Sequence, residues 1–279
     1  MRWTLLKQPA ILPGFGLTLG FTVAYLCLII LIPLSSLVVQ ASGLDGRHFL
    51  DAAFSDRALA AYSLSLRTSL LAALFNGVAG LLVAWVLVRY PFPGSRFVDG
   101  LIDLPFALPT AVAGIVLTAL YAPQGWIGSH FETLGIKVAY SELGIFVALI
   151  FIGLPFVVRT IQPVLENLDP EVEEASSSLG ASYGETLRRV IFPEIRPALL
   201  TGMVLAFARG LGEYGSVIFI AGNLPLKTEI TPLLIMIKLE EYDYAGASAI
   251  ALVFLVISFC LILIVNLLER EKKNLPVLE

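Results

Sequence analysis

The sequence predicts an all-α integral membrane protein with about six transmembrane helices. The mean hydropathy is +0.86 and charged residues make up 14% of the 279 residues, whereas soluble domains carry roughly 25%. The length of the apolar stretches also supports this fold class, because a bilayer span needs roughly 20 apolar residues. Six stretches meet that length, near 14–39, 66–89, 100–122, 143–165, 197–221 and 246–268.

The first stretch is predicted to be a retained helix, because it is far longer than the ~7–15 apolar residues of a signal peptide. Turn-forming and charged segments separate the later stretches, for example "RYPFPGSR" before the third. Pro105 and Pro109 lie inside the third stretch and Pro155 inside the fourth. The fifth is interrupted by Arg209 and Glu213. Prolines are tolerated in membrane helices because neighbouring helices satisfy the freed backbone groups.

The distribution of lysine and arginine predicts that both termini face the cytoplasm. With the amino terminus placed inside, the inner segments hold eleven of the 18 basic residues and the outer segments hold six. Arg209 is the remaining one and lies within an apolar stretch. Cytoplasmic loops carry the excess of positive charge in membrane proteins. This orientation also places the polar segment between the fourth and fifth stretches in the cytoplasm.

That polar segment carries the signals of two capped helices. Asp169 is a capping residue, followed by Pro170 at the first helical position. Gly180 can take the left-handed conformation that ends a helix. Ser182-Tyr183-Gly184-Glu185 has the sequence of a capping box and opens a second helix. Pro193 is expected to end it. The sequence predicts a helical hairpin, 169–193.

One face of the first hairpin helix is small and weakly apolar. Val172, Ala175, Ser176 and Leu179 recur at the spacing of one helical face. A narrow apolar stripe of this kind suits insertion into a groove on a partner protein. The alternative is a hairpin resting on lipid, although lipid-surface helices usually have larger apolar residues and a basic face.

The same segment resembles the EAA loop of bacterial ABC-importer permeases. The family pattern is EAA, three residues, Gly, nine residues, Ile, one residue and Leu-Pro. Here Ser176 replaces the third motif alanine, Val190 the isoleucine and Phe192 the leucine. In the family this loop couples the permease to an ATPase subunit. The resemblance implies a coupling role for Glu174, Ala175, Ser176, Gly180 and Pro193.

Three further segments, 103–114, 155–166 and 210–223, are similar to sulfate/thiosulfate permeases of the CysT type. This resemblance implies the type I importer fold and a multi-pass location in the bacterial inner membrane. It also implies three partners: CysA-type ATPase subunits, a second permease of the CysW type and a periplasmic sulfate/thiosulfate-binding protein. Molybdate permeases share parts of these motifs and remain the alternative. The implied division is an amino-terminal helix and outer loop (1–59), a permease core (60–268) and a cytoplasmic tail (269–279).

The sequence does not predict an enzyme. A G-x-x-x-x-G-K-[ST] phosphate loop is missing from the sequence, so ATP is expected to be bound by the partner ATPase and this chain needs no cofactor. Cys27 and Cys260 lie far apart without CxxC spacing. We therefore expect no metal site and no catalytic residue. Membrane lipid is an expected partner and nucleic acid is not.

The candidate translocation path consists of Asp103, Thr110, Arg209 and Glu213. Ionisable groups are costly in lipid and usually face an interior path or pair with one another. Arg209 and Glu213 are four residues apart and can meet on one helix face. They form either an internal ion pair or a transient positive partner for a passing anion. A further alternative is an ion-coupled secondary transporter that uses Asp103, Arg209 and Glu213 as a proton relay.

Overall fold

The computed structural model describes residues 15–273, which form a bundle of helices joined by turns and loops. In chain order the helices are α1 (Phe15–Leu26), α2 (Ile32–Ser42), α3 (Gly46–Ala53), α4 (Asp56–Arg89), α5 (Ser95–Ile102), α6 (Leu104–Ala107), α7 (Thr110–Tyr121), α8 (Gly128–Thr133), α9 (Glu142–Glu166), α10 (Pro170–Ser178), α11 (Tyr183–Thr186), α12 (Phe192–Leu211), α13 (Val217–Ile220), α14 (Thr231–Glu240) and α15 (Tyr244–Lys273). Two π-helical turns, Cys27–Leu31 and Leu187–Ile191, join α1 to α2 and α11 to α12.

Among the described residues, five helical segments are long and apolar enough to cross a membrane. They are Phe15–Ser42, Asp56–Arg89, Glu142–Glu166, Tyr183–Leu211 and Tyr244–Val265. The third predicted stretch, 100–122, is not one continuous helix. Asp103 separates α5 from α6, and Leu108, before Pro109, has an extended backbone. Proline disfavours the helical conformation of the residue before it. Only α7, with 12 residues and a length of ~18 Å, continues the stretch, so this segment is a broken one.

The centre of the bundle is formed by α4, α9 and α12. Val157 of α9 is fully buried between the other two helices. Its side chain lies against Gly80 of α4, and its Cα lies against Gly202 of α12. Small residues allow helix backbones to approach closely where lipid gives no hydrophobic driving force. The glycines therefore set the spacing of the three central helices.

Each π-helical turn lies just before a proline. Cys27–Leu31 precedes Pro33, and Leu187–Ile191 precedes Pro193. A proline ring clashes with the carbonyl group four residues earlier in a regular α-helix, and a wider turn relieves that contact. The prediction that Pro193 ends the second hairpin helix was wrong. The helix continues through Pro193, so the second arm of the hairpin is the end of the membrane span Tyr183–Leu211.

The chain outside the central helices also differs from the prediction in two places. The segment 222–245, predicted to be a loop, contains α14, and Thr231 at its start exchanges hydrogen bonds with Ser65 of α4 at 3.0 and 2.8 Å. The predicted tail begins as a continuation of α15 to Lys273. Residues 1–14 and 274–279 lie outside the described part of the chain, and with them Arg2 and Lys7 of the orientation count.

Candidate functional site

The hairpin predicted for residues 169–193 is present in its first arm and its turn. The side chain of Asp169 accepts a hydrogen bond from the Glu171 backbone N–H at 2.9 Å and caps α10. Gly180 follows α10 with φ +84°, a conformation that glycine adopts without strain. The capping box at Ser182 and Glu185 opens α11. The Ser182 backbone N–H and hydroxyl donate hydrogen bonds to Glu185 Oε2 at 3.0 and 2.9 Å.

Two polar contacts hold the hairpin in place, one to α4 and one between its own two arms. Glu173 of α10 forms an ion pair of 2.5 Å with Arg89 at the end of α4, and the Arg89 guanidinium also lies over the Trp85 ring. Ser176 Oγ lies 2.9 Å from Thr186 Oγ1, a hydrogen bond that joins α10 to α11. Ser176, which replaces the third motif alanine, therefore adds a hydrogen bond within the hairpin.

Three apolar side chains of the hairpin are left exposed by the part of the chain that the structure describes. Leu179 is 89% exposed, Tyr183 67% and Val172 47%. Glu174 and Ala175 are exposed beside them. Exposed apolar side chains that form a contiguous patch are typical of a contact surface for another molecule. We call Val172, Leu179 and Tyr183 the hairpin patch, and the end of the bundle that carries it the hairpin end.

Arg209 and Glu213 meet where α12 ends. The helix stops at Leu211, so Glu213 lies in the following turn rather than on the same helix as predicted. Its carboxylate is 2.6 Å from Arg209 Nη1. Its other oxygen accepts hydrogen bonds from the Ser216 backbone N–H and hydroxyl, both at 2.9 Å. The Glu213 side chain is 1% exposed and that of Arg209 is 33% exposed.

Thr110, at the start of α7, lies against the turn that follows Glu213. A Cβ atom placed on Gly215 would lie 2.1 Å from Thr110 Oγ1, and one on Gly114 would lie 2.4 Å from the Ser216 carbonyl oxygen. The first turns of α7 therefore pack directly on the backbone that holds Glu213. We call this region, with the Arg209–Glu213 ion pair, the α7–α12 junction.

Gly114→Ala is expected to open this junction. The new methyl group would overlap the Ser216 backbone, and forced overpacking of this kind costs about 1–3 kcal/mol. A lower melting temperature of the purified complex and slower uptake would show the effect. Gly100→Ala is the matched control, because a Cβ at Gly100 meets nothing within 4 Å. Equal melting temperatures for the two variants would contradict the close packing described here.

Asp103 is not brought to the α7–α12 junction. Its two carboxylate oxygens accept hydrogen bonds from Arg159 of α9 at 2.8 and 2.7 Å. Arg159 also donates to Asp99 Oδ1 at 2.6 Å and to Gln162 Oε1 at 2.6 Å. Hydrogen bonds from Gln162 and Arg159 lower the pKa of Asp99. Asp103 is therefore bound to α9 and is separate from the Arg209–Glu213 pair.

A second buried ion pair escaped the sequence interpretation. Glu229, with a side chain 1% exposed, binds Arg57 of α4 through two hydrogen bonds of 2.7 and 2.6 Å. Both residues lie outside the six predicted apolar stretches. Thr231-Pro232 has the sequence of a helix start, and an apolar run follows it. These two features indicate a helix that packs against the bundle.

The fold is that of a membrane-spanning helical bundle with an exposed hairpin at one end. The sequence matches the family described as "Binding-protein-dependent transport system inner membrane component" over residues 76–274. The chain belongs to this family. It is a transport component of the inner membrane rather than an enzyme, in agreement with its long apolar helices.

Relatives within the family share about half of their residues with this chain. It is 50% identical over 261 residues to the sulfate transport system permease protein CysT of Salmonella typhimurium, with 94% of each chain covered. It is 49% identical to the protein of the same name from Escherichia coli, again with 94% of each covered. For the Synechocystis protein the identity is 51%, over 89% of this chain and 87% of the relative. The predicted resemblance to the CysT type is confirmed.

Solved structures share the fold. A bacterial ABC transporter involved in the import of alginate superimposes with a TM-score of 0.76 at 16% identity, covering 92% of this chain and 94% of its own. The MetNI methionine ABC transporter superimposes with a TM-score of 0.59 at 16% identity, covering 77% and 95%. The predicted type I importer permease fold is confirmed by these neighbours.

Proposed function

We propose that this chain is the permease subunit of an ATP-driven sulfate importer, and that it also accepts thiosulfate. The observation that carries the substrate class is the 50% identity to a sulfate permease over 94% of both chains. Sulfate and thiosulfate are both dianions of tetrahedral shape, so one path suits both. Competition of radiolabelled sulfate uptake by thiosulfate, molybdate and selenate, in cells lacking this chain and complemented with it, tests the assignment. Inhibition by molybdate at lower concentration than by sulfate would favour the molybdate alternative.

The importer needs three partners of different kinds. A CysA-type ATPase supplies the energy and binds ATP, since this sequence contains no phosphate loop. A CysW-type permease completes the membrane part, and a periplasmic sulfate/thiosulfate-binding protein delivers the anion. A neighbour of the same fold has been solved in complex with a pentasaccharide-bound periplasmic protein, which supports this composition. The hairpin end then faces the cytoplasm, in agreement with the basic-residue count.

The hairpin is proposed to be the contact with the ATPase. Glu174, Ala175, Ser176, Gly180 and Pro193 are the residues that the EAA pattern assigns to it. The hairpin patch is exposed, and the hairpin is joined to the bundle by the Glu173–Arg89 ion pair and by α9 and α12. Closure of the ATPase subunits would move the hairpin and tilt α9 and α12 as rigid elements, which gives alternating access.

Arg209 is proposed to be the anion contact at the α7–α12 junction. Glu213 is its ion-pair partner among the described residues, and a third of the Arg209 side chain stays exposed. A guanidinium has five N–H donors, so Arg209 retains donors for a passing sulfate. Glu213 compensates the charge of Arg209 and so keeps the contact with the anion weak. A permeant ion must bind weakly in order to leave.

Leu179→Asp is expected to weaken the ATPase contact while leaving this chain folded. Removing a leucine side chain from an interface costs about 1.5–3 kcal/mol, so the affinity for the ATPase should fall about tenfold or more. Because Leu179 is 89% exposed in the isolated chain, its loss should not alter the stability of the bundle. Co-purification of the ATPase with the tagged permease is the measurement.

The control is Leu134→Asp, at a leucine that is 72% exposed in the loop region after α8. The proposed coupling role predicts normal recovery of the ATPase with the Leu134 variant and reduced recovery with the Leu179 variant. Equal recovery with both would remove the hairpin patch from the contact.

The ion-coupled alternative is disfavoured by the family and by the geometry. The members of the family are components of binding-protein-dependent transport systems. In addition, Asp103 is bound to Arg159 rather than to the Arg209–Glu213 pair. A proton relay through Asp103, Arg209 and Glu213 would need these three side chains to be connected by successive contacts. Uptake that persists in membranes without ATP and follows the proton gradient would reinstate it.

A further inference from the structure

Arg159 is the centre of a polar cluster that the proposed coupling and the candidate path leave unused. Its guanidinium donates to both carboxylate oxygens of Asp103, to the carboxylate and the backbone carbonyl of Asp99, and to Gln162, at 2.6–2.8 Å. Gln162 in turn donates to Asp99 Oδ1 at 2.9 Å. We call Asp99, Asp103, Arg159 and Gln162 the Arg159 cluster. Charge-assisted, bidentate bonds of this kind fix geometry as well as charge.

The segment that the cluster holds has few other attachments. In α5 and α6 the apolar side chains of Phe97, Leu101 and Leu104 are 71%, 43% and 41% exposed, and Ile102 is the buried one. The Phe106 ring contacts Phe156 of α9 edge to face at 5.1 Å. The polar bonds to Arg159 are therefore a main connection between α9 and the segment α5–α6.

The cluster lies between the hairpin and the α7–α12 junction along the chain. Arg159 is seven residues before the end of α9 at Glu166, and Asp169 then caps the first hairpin helix. On the other side, Asp103 is seven residues before Thr110, which packs on Gly215. A displacement of α9 can reach the junction through this cluster, because each intermediate segment is short and helical or extended.

We propose that Arg159 is a positioning residue that transmits hairpin movement to the α7–α12 junction, by holding the segment α5–α6 on α9. This inference rests on the proposed coupling role of the hairpin. The fork of the arginine is essential, since a lysine ammonium cannot bind Asp103 through two parallel bonds and reach Asp99 and Gln162 as well. Without the cluster, the segment α5–α6 loses its polar connection to α9 and follows the hairpin less closely.

The test uses the complete importer, with both permeases, the ATPase and the binding protein, reconstituted in lipid vesicles. The quantity measured is the number of sulfate ions taken up per ATP hydrolysed. For Arg159→Ala this ratio is expected to fall about tenfold, a size that single coupling residues reach, while ATP hydrolysis stays near the wild-type rate. A wild-type ratio overturns the inference.

The conservative variant Arg159→Lys separates coupling from mere stability. The lysine keeps the charge and loses the fork, so a reduced ratio in an assembled importer supports the inference and a wild-type ratio overturns it. This variant also takes the place of Arg159→Ala if the alanine variant does not assemble.

Arg67→Ala is the matched control, because it removes an exposed ion pair with Glu142. Its ratio should equal that of the wild type. The outcome also distinguishes this inference from the proposed function. A normal ratio in Arg159→Ala, together with a reduced ratio in a Gly180 variant, overturns the role of Arg159 alone. Normal ratios in both overturn the coupling role of the hairpin itself.

Discussion

Arg209→Ala is expected to abolish sulfate uptake while the importer still assembles. The substitution removes the cation that faces Glu213, whose side chain is 1% exposed. Leaving a buried carboxylate without its partner costs about 3–5 kcal/mol, reduced here because Arg209 is itself partly exposed. We expect uptake to fall about 100-fold or more. Radiolabelled sulfate uptake into vesicles, with the subunits quantified in the same membranes, is the measurement.

The structure supplies a control with the same burial. Arg57 and Glu229 form an ion pair with side-chain exposures of 33% and 1%, equal to those of Arg209 and Glu213. Arg57→Ala should therefore cause a similar loss of thermal stability. If Arg209 contacts the anion, its variant loses far more uptake than the Arg57 variant at equal stability. Equal losses of uptake would identify both pairs as structural.

A neutral double variant decides between the two roles of the Arg209–Glu213 pair. Arg209→Met combined with Glu213→Gln keeps the volume and removes both charges, and such replacements of buried pairs are often neutral for stability. A purely structural pair predicts that this double variant transports sulfate normally. An anion contact predicts that it folds and assembles without transporting. The second result is the one we expect.

Gly180→Val is expected to uncouple ATP hydrolysis from transport. Gly180 has φ +84°, and a β-branched residue in that region is a strained outlier. A strained position of this kind costs about 1–3 kcal/mol, and the turn between α10 and α11 relieves it by rearranging. The hairpin then presents its patch at a different angle, and sulfate transported per ATP should fall about 30-fold.

Two matched variants isolate the backbone conformation as the cause. A Cβ atom meets nothing within 4 Å at either Gly180 or Gly184, but Gly184 has a helical backbone in α11. Gly184→Val should therefore leave coupling intact. Gly180→Asn should retain most of it, because asparagine enters the left-handed region more readily than other residues. Loss of coupling in Gly184→Val would attribute the effect to side-chain bulk and contradict the turn argument.

The helical class and most spans follow from composition and length alone, since lipid permits few other solutions for the backbone. The caps at Asp169 and Ser182 and the turn at Gly180 follow from local chemistry, and the structure shows them as predicted. Local signals failed where tertiary contacts decide. Pro193 predicts a helix end, but the helix continues through it after the π-helical turn Leu187–Ile191.

The candidate site was predictable only where its contacts are local in sequence. The Arg209–Glu213 pair is a local contact of four residues, and the structure contains it. Asp103 with Arg159 and Arg57 with Glu229 join residues 56 and 172 positions apart. A single sequence carries no information about which distant charges meet.

The central claim is that the hairpin contacts the ATPase, and site-specific photocrosslinking in native membranes tests it most directly. A photoreactive residue is placed at Leu179 or Tyr183 in the hairpin patch, and at Trp126, which is 85% exposed before α8, as the control. The account predicts that the ATPase subunit is captured from both hairpin positions and never from Trp126. Failure of both hairpin positions to capture the ATPase, in membranes that still import sulfate, would contradict it.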